Sequence, residues 1–457
     1  MSEDVVSLED QRRRKADAQH VAAEVVKDTG ILTHDGIAGI FASRYADRLR
    51  YCHDTHAWFE FEGTHWKRDE RSMAFEFVRE TNRDLSSGRE IKELKQLRSV
   101  GFARAVETFA MSDRRLAVGV DNWDQDPFLL GTPGGTVDLQ SGALRPSNPA
   151  DGITKIAGVA PSDHSDCPVW DGFLRETTGN DAELIHFLRQ FTGYCLTGDV
   201  REHALLFIHG PGGNGKSVFL NTIARVLGQY ATASPIDTFT ISAGDRHPTE
   251  LARLRGMRMV SASETEHRKS WAETKIKQLT GGDEVAAHFM RQDFFTYRPA
   301  FKLVIIGNHL PGLENADDAL RRRFNIVPFT FRPVNPDHQL EEKLTDELPE
   351  IMRWMIRGCL DWQRTGLTRP DSVLAATSEY FAEQDPMGRW IEERCELGGS
   401  FIAKTSKLHA SFQTFLKAEG EVAQSMRLFV AALYRRPGIK KYRKADFRGV
   451  TGIRLLG

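Results

Sequence analysis

The stretch Gly210-Pro-Gly-Gly-Asn-Gly-Lys216-Ser217 is a complete Gly-x-x-x-x-Gly-Lys-Ser pattern. An apolar run at residues 204–208 precedes it, and a helix-like segment at residues 217–227 follows it. When a strand enters such a loop and a helix leaves it, backbone N–H groups and the helix N-terminus converge on bound phosphates. The sequence therefore predicts a nucleotide site within an α/β domain.

The same loop assigns roles to individual side chains. The Lys216 ammonium is expected to contact the β- and γ-phosphates, and the Ser217 hydroxyl is expected to hold Mg²⁺. Glycines let the main chain come close to the phosphates and adopt positive φ angles. ATP and Mg²⁺ are therefore the predicted ligands. The residues predicted to bind ATP are Gly210, Pro211, Gly212, Gly213, Asn214, Gly215, Lys216, Ser217 and Val218.

The composition of the whole chain gives broader limits. A chain of 457 residues is too long for one hydrophobic core, so two to four domains are expected. With 61 Lys and Arg against 63 Asp and Glu, the total charge does not indicate a polyanionic partner. Neither a long apolar run nor a signal-peptide pattern is found, so no membrane span and no secretion are predicted. The five cysteines are far apart and lack zinc spacing, which favours a cytoplasmic location.

Two acidic residues follow a second predicted strand. Residues 257–262 resemble an inner strand, and Ser263-Glu264-Thr-Glu266 comes at its carboxyl end, where a doubly wound sheet presents its binding site. A carboxylate at that place can hold Mg²⁺ and polarise the attacking water. Glu264 is the first candidate for this catalytic role and Glu266 is the second. The alternative is that both are surface residues.

Asn308 and a group of arginines are the remaining catalytic candidates. Asn308 ends an apolar run, and its amide is expected to orient the water nucleophile; the alternative is that it caps the turn before Pro311. Three consecutive arginines, residues 321–323, precede another apolar strand. In a ring ATPase one such arginine reaches the γ-phosphate held by the neighbouring copy. Arg322 or Arg323 is therefore expected to act in trans, the alternative being a basic surface.

The order of these motifs resembles that of the superfamily 3 helicases, and in particular the helicase part of phage and plasmid primase–helicases. The segment Ile276-Lys-Gln-Leu-Thr-Gly-Gly-Asp283, between the acidic motif and Asn308, is the most discriminating match. Trp58, Gly63 and Trp66 resemble, more weakly, the region that precedes this ATPase. The resemblance implies an AAA+-type P-loop fold, a hexameric ring and ATP-driven translocation on single-stranded DNA in a bacterial host cell.

Four consecutive parts are expected. They are an N-terminal α+β domain, a helical collar, an AAA+-type ATPase domain with a parallel sheet, and a basic winged-helix-like domain, at residues 1–165, 166–202, 203–372 and 373–457 respectively. A charged, helix-like arm with basic residues 12–15 opens the first part. The chain begins too late to hold the primase of many relatives, so a separate primase or replication initiator is an expected partner.

A hairpin is predicted between Asp283 and Pro299, and the resemblance implies that it points into the pore of the ring. Basic residues there would contact DNA phosphates without sequence preference. The alternative is a set of core aromatic residues next to a solvated arginine. The residues predicted to contact DNA in this region are Lys277, His288 and Arg291.

The C-terminal part carries a positive charge that the whole-chain total hides. Residues 401–457 contain twelve Lys or Arg and three Asp or Glu. Two helices with apolar spacing and a closing strand pair resemble a winged helix, which can place a helix in a DNA groove. The alternative is an unspecific basic tail. The residues predicted to contact DNA here are Arg435, Arg436, Lys440, Lys441, Arg443 and Lys444.

Together these features predict an ATP-dependent replicative DNA helicase of a phage, prophage or plasmid, which translocates as a ring on single-stranded and forked DNA. Two alternatives remain open. One is an origin-binding or loading factor whose ATPase switches assembly without unwinding. The other is an ATPase that does not act on DNA, such as a packaging or signalling module, although residues 277–283 and the basic C-terminus argue against it.

Overall fold

The computed structural model describes residues 32–241, 249–264, 269–290, 293–313, 317–333, 336–444 and 447–456. The predicted N-terminal arm with residues 12–15 lies outside the described residues, as do the candidates Glu266 and Arg291. Of Glu264 and Lys444, only the backbone is described.

The first described region is the α+β unit that the sequence predicts. Two of its strands form the expected hairpin around Gly63, with Phe61 opposite Trp66. Phe41 from a helix packs edge-on against Trp58 of the sheet, in a hydrophobic core that belongs to this region. In chain order the elements are α1 (His34–Tyr45), β1 (Leu49–Cys52), β2 (Ala57–Phe61), β3 (Trp66–Arg68), α2 (Met73–Ser86), α3 (Ile91–Leu97), α4 (Val100–Met111) and β4 (Ala117–Val118).

A small antiparallel sheet and two helices come next. The elements are β5 (Leu129–Thr132), β6 (Gly135–Asp138), β7 (Ala143–Arg145), α5 (Pro168–Thr177) and α6 (Ala182–Cys195). The strands are the short ones that the glycine-rich sequence predicts. The two helices are those predicted from the apolar spacing; they are called the collar below, and a collar role in a ring stays a prediction. Leu130 and Val137 of the small sheet share a hydrophobic core with Trp170 and Tyr194 of the collar. The segment predicted as one N-terminal domain, residues 1–165, is therefore divided between two cores.

The central part of the chain is an α/β unit. Its elements are β8 (Leu205–His209), α7 (Lys216–Leu227), β9 (Ala231–Ala233), α8 (Thr249–Ala252), β10 (Met259–Glu264), α9 (Glu273–Gly281), β11 (Val285–Ala287), β12 (Phe295–Tyr297), β13 (Lys302–Gly307), α10 (Asp318–Arg321) and β14 (Phe324–Pro328). Five strands form one parallel sheet in the order β14-β8-β13-β10-β9, which confirms the predicted parallel sheet. Leu206 and Ile208 face one hydrophobic core, whereas Leu205 and Phe207 face another. Strands buried on both faces are nearly continuous apolar runs.

The carboxyl ends of four strands lie in register along one edge of this sheet. Gly307 of β13 pairs with Glu264 of β10 on one side and with His209 of β8 on the other. His209 in turn pairs with Pro328 of β14. The phosphate-loop sequence, Glu264 and Asn308 therefore leave the sheet at the same edge, where open parallel sheets bind their ligands.

Two buried basic side chains connect the opposite edge of the sheet to the collar. Arg258, next to β10, donates hydrogen bonds to the carbonyl oxygens of Leu196 and Leu129. Lys302, the first residue of β13, is buried, and its Nζ lies 2.5 Å from the carbonyl oxygen of Thr197. Leu196 and Thr197 follow the last turn of α6, where the helix dipole favours positive charge.

Three helices follow the sheet, namely α11 (Leu340–Asp346), α12 (Leu348–Thr365) and α13 (Asp371–Glu383). α12 crosses α6 so closely that a Cβ on Gly193 would lie 2.2 Å from the backbone nitrogen of Cys359. α13 packs on β14, and the hydroxyl of its Tyr380 accepts a hydrogen bond from the Trp271 indole. Residues 373–383 therefore pack with the central part, whereas the predicted C-terminal domain begins at residue 373.

The C-terminal part has a core of its own, which includes Trp390, Phe412 and Phe429. Its elements are α14 (Pro386–Arg394), β15 (Cys395–Lys404), α15 (Thr405–Ala418), α16 (Met426–Tyr434), β16 (Lys440–Lys444) and β17 (Phe447–Leu455). The two predicted helices are α15 and α16, and β17 lies between β15 and β16 in an antiparallel sheet. The winged helix stays a prediction. Every helix of the described segments is too short or too polar to cross a membrane.

Candidate nucleotide and DNA sites

The loop between β8 and α7 is packed tightly against two other segments. Gly215 has a φ of 84°, and a Cβ at this position would come within 2.7 Å of Phe173 and of Thr177 on α5. A Cβ on Gly210 would lie 1.9 Å from the carbonyl oxygen of Phe329, just after β14. The collar helix and the end of β14 thus enclose the loop, and only glycine fits at both positions.

Lys216 is buried at the start of α7, with 7% of its surface exposed. The acceptors around its Nζ are the carbonyl oxygens of Gly210 (2.6 Å) and Pro211 (3.0 Å) and the side-chain oxygens of Asn214 (3.0 Å) and Asn308 (3.0 Å). Burial, together with the charge of Arg332, lowers the pKa of Lys216. All four acceptors are neutral groups, so an anionic phosphate can replace them.

The contact between Lys216 and Asn308 joins two predicted catalytic residues that are 92 positions apart. His209, which is not among the residues predicted from the sequence, lies next to this contact. Its Nε2 is 3.0 Å from the carbonyl oxygen of Asn308. Burial lowers the pKa of His209; the Asn308 carbonyl opposes this shift and the Lys216 charge adds to it. A neutral imidazole that donates from Nε2 fits this environment. The only signal in the sequence is its position as the last residue before the loop.

The other residues predicted to bind ATP lie on the loop surface or in the first turn of α7. Asn214 is buried and donates a hydrogen bond to the carbonyl oxygen of Phe329. Val218 is half-buried. The first N–H groups of a helix have no acceptor within the helix, so those of α7 can donate to a phosphate. The exposed members of the set are Pro211, Gly212, Gly213 and Ser217.

Glu264 reaches this edge of the sheet through its backbone, which pairs with Gly307 next to Asn308. The exposed Ser217 at the start of α7 is the second predicted Mg²⁺ ligand. A hydroxyl and a carboxylate are oxygen donors of the kind that Mg²⁺ prefers. The residue types at this edge therefore fit the ion.

Arg322 and Arg323 differ in exposure. Arg323 is 7% exposed, and its guanidinium donates from Nε to Thr280 Oγ1 at 3.2 Å and from Nη1 to the Ala319 carbonyl oxygen at 2.5 Å. Burial, followed by the charge of Arg322, lowers the pKa of Arg323. Arg322 is exposed. Of the two, Arg322 is the one placed to contact another molecule without losing hydrogen bonds inside its own chain.

Both arginines precede β14 and so lie at the amino edge of the sheet, opposite the phosphate-loop sequence. β14 and β8 run parallel in register, starting at Phe324 and Leu205. A strand rises about 3.3 Å per residue, so β8 alone separates the two edges by roughly 13 Å. That separation exceeds the length of an arginine side chain, and Arg322 therefore does not reach the loop of its own chain.

The predicted hairpin is formed by β11 and β12, with Val285 opposite Tyr297. Tyr297 is buried in the core of the sheet domain, as the alternative interpretation expected for the aromatic residues. Phe294 at the tip is instead 69% exposed, and the His288 ring lies 4.4 Å from its ring. The hairpin thus has an exposed aromatic tip. Its placement in a ring pore stays a prediction.

Lys277, predicted to contact DNA, forms an ion pair with Asp317. Burial alone would raise the pKa of Asp317, but the Lys277 ammonium and the Leu320 N–H lower it, and the net shift is downward. Asp317 also caps α10 by accepting a hydrogen bond from the Leu320 N–H at 2.8 Å. Any DNA phosphate at Lys277 therefore competes with this carboxylate.

The basic residues of the C-terminal part are placed in two ways. Arg436 forms an ion pair with Asp385, which caps α14, so its charge stabilises the fold. A basic edge strand suits phosphate contact, but it also prevents pairing with other sheet edges. Both interpretations therefore remain. Of the residues predicted to contact DNA here, the exposed ones are Arg435 and, on the edge strand β16, Lys440, Lys441 and Arg443.

Two protein families match separate parts of the chain. Residues 38–179 match the family described as D5 N terminal like, which spans most of the α+β region, the small antiparallel sheet and the first collar helix. Residues 208–323 match a family of unknown function, DUF5906, which spans the central part from the end of β8 to the arginines.

Viral proteins named as helicases are related to the chain. "Putative helicase L207/L206" of Acanthamoeba polyphaga mimivirus is 26% identical over 285 residues, which is 57% of this chain and 30% of the viral protein. "Putative helicase 022R" of Frog virus 3 (isolate Goorha) is 30% identical over 231 residues, which is 45% of this chain and 23% of the viral protein. The chain therefore spans less than a third of the length of these two relatives.

Solved structures of the NrS-1 C-terminal region have a similar fold. Two apo structures align with TM-scores of 0.52 and 0.50 at 9% identity, and the alignments cover 88% of this chain and 96% and 95% of theirs. At this identity the similarity concerns the fold alone. The D5 N terminal like region and the viral relatives confirm the resemblance predicted from the motifs: the chain is similar to the helicase part of phage-type primase–helicases.

Proposed function

We propose that this protein is an ATP-driven DNA helicase motor that works as a ring on single-stranded DNA in the replication of a phage, prophage or plasmid. The observation that carries the proposal is the contact of 3.0 Å between Lys216 Nζ and Asn308 Oδ1 at the carboxyl edge of the sheet. It joins the proposed phosphate-binding lysine, at the start of α7, to the proposed water-orienting amide, which directly follows β13. The relation to viral proteins named as helicases supports DNA as the partner.

ATP would bind with its β- and γ-phosphates at Lys216 and at the N–H groups of the first turn of α7. The phosphates would replace the neutral acceptors around Nζ, and Asn308 would then orient the attacking water. Mg²⁺, held by Ser217 and Glu264, would neutralise charge on the phosphates. Glu264, with Glu266 as the second candidate, would accept the proton of the water.

Arg322 would act on the nucleotide of a neighbouring copy. It is exposed at the sheet edge opposite the loop, and the length of β8 separates it from its own site. An arginine supplied in trans stabilises the charge of the phosphoryl transition state and is worth roughly 10³- to 10⁵-fold in kcat. A closed ring, hexameric by resemblance, would supply one such arginine to every site.

DNA would be held by the β11–β12 hairpin. The aromatic tip can stack on bases, and the basic residues can follow the phosphates of one strand. Release of Lys277 from Asp317 would add a positive charge to this surface. The basic strand β16 would contact the duplex ahead of the fork. The residues proposed to contact the single strand are Lys277, His288 and Arg291.

The test compares ATP hydrolysis and strand displacement by the same preparation of the protein. Hydrolysis is expected to rise with single-stranded DNA, a forked duplex is expected to be unwound, and Lys216→Ala is expected to abolish both. Stimulated hydrolysis without displacement would instead identify an origin-binding or loading factor. Hydrolysis that is indifferent to DNA would identify an ATPase of another kind.

A further inference from the structure

A cavity of about 300 Å³ lies beside the arginines at the amino edge of the sheet. Arg321 and Arg322 line it from the segment before β14, and Arg369 lines it from the connection between α12 and α13. Asp318 is the only acidic residue in the described lining. Three guanidinium groups therefore converge on one small space with a net positive charge.

Neutral groups hold these guanidinium groups in place. Arg369 Nε donates to the Asn325 side-chain oxygen at 2.6 Å, and Arg321 Nη2 donates to Ser378 Oγ at 3.1 Å. Within the described part of the chain, neither these two arginines nor Arg322 forms an ion pair. In the described residues these three guanidinium groups thus have no direct carboxylate partner, and Asp318 is the only carboxylate in the described lining to offset their charge.

Such an arrangement is costly in an isolated protomer. Like charges repel one another, and the repulsion grows where the groups are withdrawn from water. Burial lowers the pKa of Arg369, and the charge of Glu202 opposes this shift. A bound anion offsets the cost, and the planar guanidinium fork matches the oxygens of a phosphoryl group.

Hydrogen bonds also connect Arg369 to the backbone of Arg322 and, through Asn325, to the sheet. Its Nη2 lies 3.4 Å from the carbonyl oxygen of Arg322. Its partner Asn325 is fully buried and donates to the carbonyl oxygens of Leu205, at 3.0 Å, and Arg323, at 3.1 Å. Leu205 begins the strand that ends at the phosphate-loop sequence. Arg369 therefore fixes the backbone that carries Arg322 relative to β8.

We propose that this cavity receives the terminal phosphate of the nucleotide held by a neighbouring copy, and that Arg369 is the positioning residue for Arg322 in that half-site. The proposal rests on the proposed ring ATPase and extends it from one arginine to a set of three. Arg369 is more than 40 residues past the arginine motif in sequence, and no local pattern marks it.

The first experiment replaces Arg369 with Gln, which keeps amide donors near Asn325 but removes the charge. Nucleotide binding to Arg369→Gln, measured with a fluorescent ATP analogue on dilute protein, is expected to match the wild type. Its kcat at ring-forming concentration is expected to fall roughly 100-fold, since misplacing a catalytic group by about 1 Å has an effect of that size. Arg364→Gln is the matched control, because Arg364 on α12 is exposed and paired with Asp361.

A mixing experiment separates a role in trans from damage to the fold. Arg369→Gln keeps its own phosphate-binding loop, whereas Lys216→Ala keeps its arginines. When the two inactive variants are mixed, sites formed between them combine an intact loop with an intact cavity, and hydrolysis is expected to return. A merely unfolded variant would give no such rescue, and melting temperatures of both variants check this directly.

The outcomes also separate this proposal from the wider one. Suppose that Arg369→Gln is fully active, whereas Arg322→Gln is inactive and regains hydrolysis when it is mixed with Lys216→Ala. This result would overturn the role of Arg369 but would agree with the proposed ring ATPase. Full activity of Arg322→Gln as well would remove the arginine half-site altogether. Assembly of Arg369→Gln is compared with that of the wild type, with and without a non-hydrolysable ATP analogue. If the substitution weakens assembly equally in both conditions, the occupant is a protein carboxylate and the phosphate assignment is overturned. The expected result is that the substitution weakens assembly, relative to the wild type, only when the analogue is present.

Discussion

At the scale of single residues, the surroundings of Lys216 explain how a lysine can be buried and still be available to a ligand. Neutral oxygens surround its ammonium, and no carboxylate of the described residues is among its acceptors. A carboxylate partner would compete with phosphate, whereas carbonyl and amide oxygens bind the ammonium more weakly. Asn308 is the acceptor that follows β13, outside the loop, so replacing it directly tests the contact between Lys216 and Asn308.

Asn308→Ala is expected to reduce kcat roughly 100-fold, because the group that orients the water is lost. ATP affinity is expected to change little, since Lys216 and the loop remain. Steady-state hydrolysis and equilibrium binding of an ATP analogue measure the two effects separately.

Asn308→Asp provides the contrasting variant. Its carboxylate would pair with Lys216 and would repel the phosphates, so ATP affinity is expected to fall together with kcat. Equal ATP affinities of the two variants would contradict the contact described here between Lys216 and Asn308.

Lys302 gives a prediction about pH. Its burial lowers its pKa from the usual 10.5 to about 7, with Arg258 adding to the shift and Cys195 opposing it. Between pH 7 and 10.5 the unfolded chain therefore binds more protons than the folded chain. The free energy of unfolding is expected to rise with pH in this window because of Lys302, by at most about 1.4 kcal/mol per pH unit.

Lys302→Met is expected to remove this contribution to the pH slope, measured by chemical denaturation at several pH values. The matched control is Lys417→Met, because Lys417 is exposed on α15. A slope in Lys302→Met that equals that of the wild type between pH 7 and 10.5 would show that the buried lysine stays protonated on folding.

At the scale of elements, the β11–β12 hairpin has a buried residue, Tyr297, in its strands and an exposed one, Phe294, in the loop between them. Phe294→Ala is expected to weaken binding to single-stranded DNA by about 1–3 kcal/mol, the usual contribution of an aromatic platform to base stacking. The fold should be unaffected, since Phe294 is 69% exposed. Fluorescence anisotropy with labelled oligonucleotides measures the affinity.

Ile91→Ala is the control for this variant, because Ile91 on α3 is 74% exposed and lies outside the hairpin. If both variants bind single-stranded DNA like the wild type, the aromatic tip has no part in DNA binding. The basic residues of the hairpin would then have to account for it alone.

The C-terminal part can be removed without cutting the central core if the chain ends after Gln384. α13 must be kept, because Tyr380 bonds Trp271 and the Gln384 side chain accepts a hydrogen bond from the Leu313 N–H at 3.2 Å. The shortened protein is expected to hydrolyse ATP at the basal rate but to bind duplex DNA at least about tenfold more weakly, since phosphate contacts dominate such binding. Filter binding and hydrolysis assays check both points; unchanged duplex affinity would contradict a DNA role for β16.

The sequence predicts some elements well and others poorly, for physical reasons. The strands of the central sheet are recognisable because burial on both faces makes them continuous apolar runs. The core shared by Leu130 and Trp170 joins segments whose pairing has no local signature, so residues 1–165 look like one domain. Arg369 and His209 have no local signature for a similar reason, since only the folded chain brings them beside the candidate sites.

At the scale of the whole molecule, the two edges of the central sheet carry complementary halves of the proposed ATP site. The phosphate-loop sequence lies at the carboxyl edge, and the arginine-lined cavity lies at the amino edge. Under the proposed function one protomer would not complete its own site, whereas a head-to-tail arrangement of copies would join the two halves at each contact. Such heterologous contacts close into rings when the rotation permits.

The buried basic side chains of Arg258 and Lys302 hold one edge of this sheet against the collar. They fasten the starts of two strands to the last turn of α6, whereas the opposite strand ends open onto the phosphate-binding loop. We expect that a nucleotide displacing the oxygens around Lys216 would shift the loop relative to these held strand starts.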